Sequence, residues 1–324
     1  MKRRNLMKGL AALGAAGLLA PAAVLAQNDK PLRVIVGFPA GVSIDVVSRI
    51  VADKLKDELK RPVIIDNRGG AGGRVAAELL KAAPPDGNTV MVTPVVVPVL
   101  APMVFSKLSY NPDTDFAPIV RLCDFNFGLA VGPGAPVKNL KEYVAWLKAH
   151  PEKANFGSPA AGSLPHFFGE MIGHALGVEM IHVPFNGGAA LQSAVVGGHS
   201  PAGIDVVMEW QQNARAGKVT MLATSGTTRS KVMPEVPTFK ELGYPDIVGG
   251  GWFAMYAPAR TPADQVELIN RTVNKVLAMP DVRERFAALG LEAGGGSAAD
   301  LQRTMQEDTR RWGPVVKKSG FRAD

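Results

Sequence analysis

Residues 33–49 constrain the chain more than any other stretch. Val34, Ile35 and Val36 form a short β-branched run of the kind that makes a buried strand. Gly37 to Val42 supply a turn of small residues, and Ser43 is placed to cap a helix through its hydroxyl. Beyond it Val47, Ile50, Val51, Leu55 and Leu59 recur at helical spacing and predict one buried face. A helix that opens straight after a strand leaves backbone N–H groups unpaired, with partial positive charge, and so offers a seat to an anion. An ordinary strand–helix unit without a ligand has the same pattern, so the rest of the chain must decide.

The alternation continues. Residues 62–66 read as a second strand, 75–82 as a helix and 90–93 as a third strand. A βαβαβ run of this kind predicts a parallel sheet with helices on both faces. Between them Asn67-Arg-Gly-Gly-Ala-Gly-Gly73 lets the backbone approach something closely. Residues 95–100 are interrupted by Pro94 and Pro98 and read as irregular, and 111–118 as a surface turn. Strands are then expected at 127–131, 155–157, 180–184, 204–208, 219–223 and 252–256. Helices are expected at 140–150, 164–176, 189–196, 262–277 and 281–289, with a short one inside 233–243. A last helix over 298–316 should break near Gly313-Pro314.

The first 26 residues read as an export leader rather than as part of the fold. Lys2, Arg3, Arg4 and Lys8 precede an Ala/Gly/Leu-rich stretch that ends in Val24-Leu25-Ala26. Arg3-Arg4 also resembles the twin-arginine signal. The full chain carries +7, of which the leader holds four basic residues and no acidic one, leaving +3. That mild charge, without a basic run interleaved with aromatics, argues against nucleic acid as a partner. The single cysteine, Cys123, lies beside Leu122 and reads as a buried structural thiol.

Chemistry concentrates in two similar turns, Phe38-Pro-Ala-Gly-Val-Ser43 and Ser158-Pro-Ala-Ala-Gly-Ser163. Each follows a strand and opens a helix. Facing each other across a cleft they would suit a molecule with a carboxylate at each end; otherwise they are two turns that merely look alike. Enzymatic patterns are weak: no Gly-x-Ser-x-Gly elbow, no P-loop and no His-Glu-x-x-His pair is present, so neither a metal nor another cofactor is expected. His166 either reaches a ligand or makes a structural hydrogen bond. Asp45 and Arg49, four apart on one helix, can pair with each other. Asp205 either takes a ligand ammonium or caps a neighbouring turn.

Together the motifs resemble the extracytoplasmic solute receptors of the tripartite tricarboxylate transporter system, the Bug family. The matching stretches are Phe38-Pro-Ala-Gly-x-x-x-Asp45, Asn67-Arg-x-Gly-Ala-Gly-Gly73, Pro85-Asp-Gly87, Asp115-Phe-Ala-Pro118 and Gly157-Ser158 with Gly162-Ser163 and His166. They continue with His182-Val-Pro-Phe, Gly197-Gly198 through Asp205, Val236-Pro-Thr238 and Ala257-Pro-Ala-x-Thr-Pro262.

The resemblance implies an α/β flytrap of the type II periplasmic binding proteins. Each lobe would be a mixed sheet with flanking helices, hinged on two crossing strands. Lobe 1 would comprise 27–126 and 249–324, and lobe 2 would comprise 127–248. It implies a monomer in the periplasm that captures a small organic acid and hands it to membrane permease subunits. The site carried over by position is Phe38, Ala40, Gly41, Val42, Ser43 and Asp45 in the first turn and Thr93 after the third strand. The opposing lobe would add Ser158, Ala161, Gly162, Ser163, His166, Phe185, Asn186 and Asp205.

Three departures from the family pattern make this site less polar. Val42 replaces a glycine, Phe185-Asn186-Gly187 lacks a cation, and Ala160-Ala161-Gly162 replaces a more polar segment. They shift the expected ligand toward a monocarboxylate or a less polar acid. The alternatives are a flytrap that presents its ligand to a membrane histidine kinase, or an exported α/β enzyme.

Overall fold

The computed structural model describes residues 30–323, so the expected leader lies outside the described residues. The N-terminal part contains β1 (Leu32–Val36), α1 (Ser43–Leu59), β2 (Val63–Asn67), α2 (Arg74–Lys81) and β3 (Thr89–Pro94). The middle contains β4 (Phe116–Val131), α3 (Leu140–Ala149), β5 (Asn155–Ser158), α4 (Leu164–Leu176), β6 (Ile181–Pro184), α5 (Gly188–Val196), β7 (Ala202–Val206), α6 (Val207–Arg215) and β8 (Thr220–Thr224). The chain ends with β9 (Gly250–Pro258), α7 (Ala263–Ala278), α8 (Pro280–Ala288), β10 (Glu292–Gly295) and α9 (Ala298–Ser319).

The first three strands are parallel, as their alternation with helices dictates, with β1 between β2 and β3. The sheet order is β2-β1-β3-β9-β4-β7-β5-β6, and β8 and β10 also pair with β4. Strand β9 runs antiparallel to both β3 and β4, so the sheet is mixed.

The element that joins the two halves is β4. Its residues 116–126 pair with β9, while Phe127–Val131 pair with β7 and β8. The sequence predicted only the last five residues of this strand, because Pro118 argues against a central strand. Pro118 instead sits where the register with β9 shifts, a bulge that dispenses with its missing N–H. Ile119, Val120, Leu122 and Cys123 are consequently all buried, and burial pushes the Cys123 thiol up, as befits an inert structural group.

The C-terminal helices return to the first half. Lys54 on α1 pairs with Asp281 at 2.5 Å, and Glu58 with Lys275 at 2.6 Å. Helix α9 reaches both halves: Trp252 Nε1 donates to its Asp308 at 2.7 Å, and its Trp312 meets Phe168 of α4 edge-on at 5.3 Å.

Three local expectations are corrected. Residues 233–243 form turns without a helix. Val96–Leu100 is a π-helical turn rather than irregular chain, and it leads into a four-residue helix, Ala101–Val104, whose Pro102 stands where no amide is needed. The last helix does not break at Gly313-Pro314 but runs to Ser319. Gly313 has no Cβ to collide with the proline ring, so helical geometry survives there at the loss of one hydrogen bond. Replacing the exposed Pro314 with alanine should therefore stabilise the protein by about 1–2 kcal/mol. Urea denaturation measures this, and an unchanged midpoint would mean that α9 is not held helical through Pro314.

Candidate functional site

A cavity of ≈ 230 Å³ opens between the halves. That exceeds the roughly 150 Å³ of an engineered apolar cavity that admits benzene. The β1–α1 turn contributes Phe38, Ala40, Val42 and Ser43. The β5–α4 turn contributes Ala161, Gly162 and Ser163 from the other side, with Asn186 and Asp205 beside them. Three phenylalanines, Phe125 and Phe127 of β4 and Phe253 of β9, line it as well. Phe125 lies 5.6 Å from Phe127 edge-on and 4.6 Å from Phe253.

The first turn is held by Asp45, which is almost wholly buried. Its Oδ2 accepts from the Gly41 amide and from Arg49 Nε, each at 2.8 Å, and its Oδ1 accepts from Asn67 Nδ2 at 2.9 Å. Asn67 Nδ2 also donates to the Phe38 carbonyl at 3.1 Å. Burial alone would raise the Asp45 carboxyl, but the bonds from Arg49, Gly41 and Asn67 outweigh it and hold it below the ordinary carboxylate range. Gly37 is needed for a different reason: a Cβ there would come within 2.9 Å of Gly73 Cα, so the glycine-rich loop after β2 passes against bare backbone.

Ser43 is not the cap. Val42 occupies that position, and Ser43 is the first helical residue, its side chain capping nothing. Its amide is nonetheless engaged by an anion from within the chain, since it donates to Glu209 Oε1 of α6 at 2.9 Å. At the helix start, where a ligand's anion was expected, the Ser43 amide holds a carboxylate from the opposing half.

The second turn is built differently. The hydroxyls of Ser158 and Ser163 both donate to the Ala160 carbonyl, at 2.9 and 2.7 Å, and so close the turn. The Gly162 amide donates to His166 Nδ1 at 3.2 Å. His166 is buried and stacks on His182, ring centroids 3.7 Å apart, with Phe321 edge-on at 4.7 Å. Burial lowers the His166 pKa to about 4; burial and then the neighbouring His166 lower that of His182 to about 3.

Of the predicted residues, Phe38, Ala40, Val42, Ser43, Ala161, Gly162, Ser163, Asn186 and Asp205 line one cavity. Gly41, Asp45, Ser158 and His166 stand behind the turns and shape them through the bonds just described. Thr93 is buried at the end of β3, its hydroxyl 3.5 Å from the Pro94 carbonyl. Phe185 packs beside Gly157 and Leu191.

Sequence reading missed Arg74, Phe105 and Glu209. Arg74 is the first residue of α2, and its guanidinium lies 3.8 Å over the Phe105 ring. No carboxylate pairs with it among the described residues. Glu209 was missed because Val206-Val207-Met208 was read as strand. The strand ends at Val206, and α6 begins there with Val207 and Trp210 buried. The signal was present: Gln211-Gln-Asn213 and Arg215 followed by Gly217 make a helix end.

Two α/β halves joined through β4, with a cavity between them, define a two-lobed solute-binding protein. The chain belongs to the tripartite tricarboxylate transporter family of receptors, whose model, described as "Tripartite tricarboxylate transporter family receptor", matches residues 47–321. A Cupriavidus necator protein described as "UPF0065 protein in gbd 5'region" is 33% identical over 327 residues, with 99% of each chain covered. A solved R. palustris protein with adipate superposes with a TM-score of 0.86 at 28% identity, covering 90% of this chain and 97% of the other. MatC from Rhodopseudomonas palustris, with bound malate, superposes at 0.82 and 31% identity, covering 89% and 99%.

Proposed function

We propose that this protein is a non-catalytic periplasmic receptor that closes on a small organic acid and delivers it, as a monomer, to the permease subunits of a tripartite transporter. Residues 27–126 with 249–324 form one lobe in this reading and 127–248 the other, with β4 and β9 as the hinge. The observation that carries it is the cavity between the halves, where Arg74 and the α1 start meet a wall of phenylalanines. Similar solved proteins hold adipate and malate. The apolar wall favours a monocarboxylate or a less polar acid over a tricarboxylate.

The Ser158–His182 contact, at 2.7 Å, looks at first like a catalytic dyad. Ser158 Oγ is shared between His182 and the Ala160 carbonyl at 2.9 Å, and the contact serves to close the β5–α4 turn. Ser158 is also fully buried.

Mass spectrometry of acid released from the purified protein, followed by calorimetry on a panel of acids, tests the reading. Short or aromatic monoacids should bind near micromolar affinity, about −8 kcal/mol. Tight citrate binding with no response to monoacids would overturn the ligand class, and turnover of a bound acid would overturn the non-catalytic role. Val42→Gly, which removes a side chain from the cavity wall, should change relative affinities across the panel by roughly five-fold, on the scale of one apolar side-chain contact. Identical affinities would argue that the first turn does not touch the ligand.

A further inference from the structure

We infer that the acid this cavity takes also carries a protonated nitrogen, seated between Asp205 and Glu209. The inference rests on the organic-acid reading and names a second half of the ligand. Asp205 ends β7 and Glu209 lies one turn into α6, and both line the cavity.

Asp205 is 4% exposed. Its Oδ1 accepts from the Val206 amide at 2.8 Å, but its Oδ2 is buried with no hydrogen-bond partner among the described residues. A buried carboxyl oxygen without a donor is costly and calls for one. The bare backbone of Gly188 lies against it: a Cβ on that residue would come within 2.8 Å of Oδ2. Glu209 is held by two neutral donors, the Ser43 amide at 2.9 Å and Gln192 Nε2 at 3.3 Å, and has no cation partner among the described residues.

Charge decides between the possible occupants. Two acidic side chains line the cavity against one basic side chain, Arg74, which opens α2 and sits over Phe105. A ligand carboxylate brought beside Asp205 would meet Glu209 in a desolvated site and be repelled. An ammonium or protonated ring nitrogen would be attracted by both acids, would donate to the unpaired Oδ2, and would lie within an aromatic wall that also favours cations. The same ligand's carboxylate then goes to Arg74. Burial, and after it the Glu209 charge, raises the Asp205 pKa well above the ordinary range, and a bound cation would reverse that by stabilising the ionised form.

Titration calorimetry on the intact mature protein tests this with matched probes: 5-aminopentanoate against pentanoate, 4-(aminomethyl)benzoate against 4-methylbenzoate, and benzylamine. The amino acid of at least one pair should bind at least ten-fold tighter than its nitrogen-free match. Asp205→Asn and Glu209→Gln should each erase most of that margin by weakening the amino acid, while the nitrogen-free acid binds no more weakly than to the wild type. Equal or tighter binding of the nitrogen-free acids overturns the inference and leaves the acid-receptor reading standing. Benzylamine binding as tightly as the amino acid would support the cation seat and count against the acid-receptor reading. No binding by any probe, with adipate and malate also inert, overturns both. If one variant fails to fold, the other and the wild-type pairs still decide.

Discussion

Replacing Arg74 with methionine should weaken binding of the cognate organic acid roughly ten- to hundred-fold, the value of one charge-assisted contact. Calorimetry on wild type and variant measures it. The melting temperature should stay within a few degrees. Arg74 stands at the first position of α2, where a cation opposes the helix dipole. Its removal relieves that repulsion and offsets the loss of its stacking on Phe105. A residue that is electrostatically unfavourable in its own helix, unpaired with any acid among the described residues and lining a cavity is placed there for something outside the chain. Unchanged affinity in the methionine variant would remove Arg74 from the site and transfer the ligand's carboxylate to the helix-start amides alone.

Arg74 also shows where sequence reading stops. The strand–turn–helix at residues 33–49, the parallel triple of strands and most helices were legible, because each rests on local periodicity. The two turns were legible as a pair for the same reason. Their inner bonding was not: nothing local says that Ser158 and Ser163 spend their hydroxyls on the Ala160 carbonyl. The start of α1 was read as a seat for a ligand's carboxylate, and its Ser43 amide instead holds Glu209, from 166 residues away. Strand β4 was half-seen because Pro118 is forbidden in a regular ladder and permitted at a bulge, and a bulge is fixed by the partner strand. Tertiary pairing decided each of these points.

The buried histidine pair makes the second large prediction: the stability it contributes should be lost as pH falls from about 6.5 toward 4. His166 is 3% exposed, and its pKa falls from the ordinary 6.5 to about 4 because burial penalises the charged ring. The unfolded chain therefore binds a proton between these values and the folded chain does not. Stability rises with pH wherever the unfolded state holds more protons, so the contribution is complete above about 6.5 and is lost as pH falls toward 4. For His166 alone the loss by pH 4 is about 2–3 kcal/mol. His182, lowered to about 3, adds to it in the same direction. Protonation would also take from His166 Nδ1 the lone pair that holds the Gly162 amide, loosening the β5–α4 turn at the cavity edge. Asp45 acts at lower pH, because its carboxyl lies below the ordinary range and its contribution is lost only as pH falls past 3.8. Asp124, pushed up to about 6 by burial, works in the opposite sense, since the folded state then binds its proton first. The signal is accordingly the difference between wild type and His166→Asn, whose amide oxygen can still accept from Gly162. Urea denaturation at pH 7, 5.5 and 4 should show a steeper loss in the wild type, and parallel losses in the two proteins would mean that His166 does not titrate on unfolding.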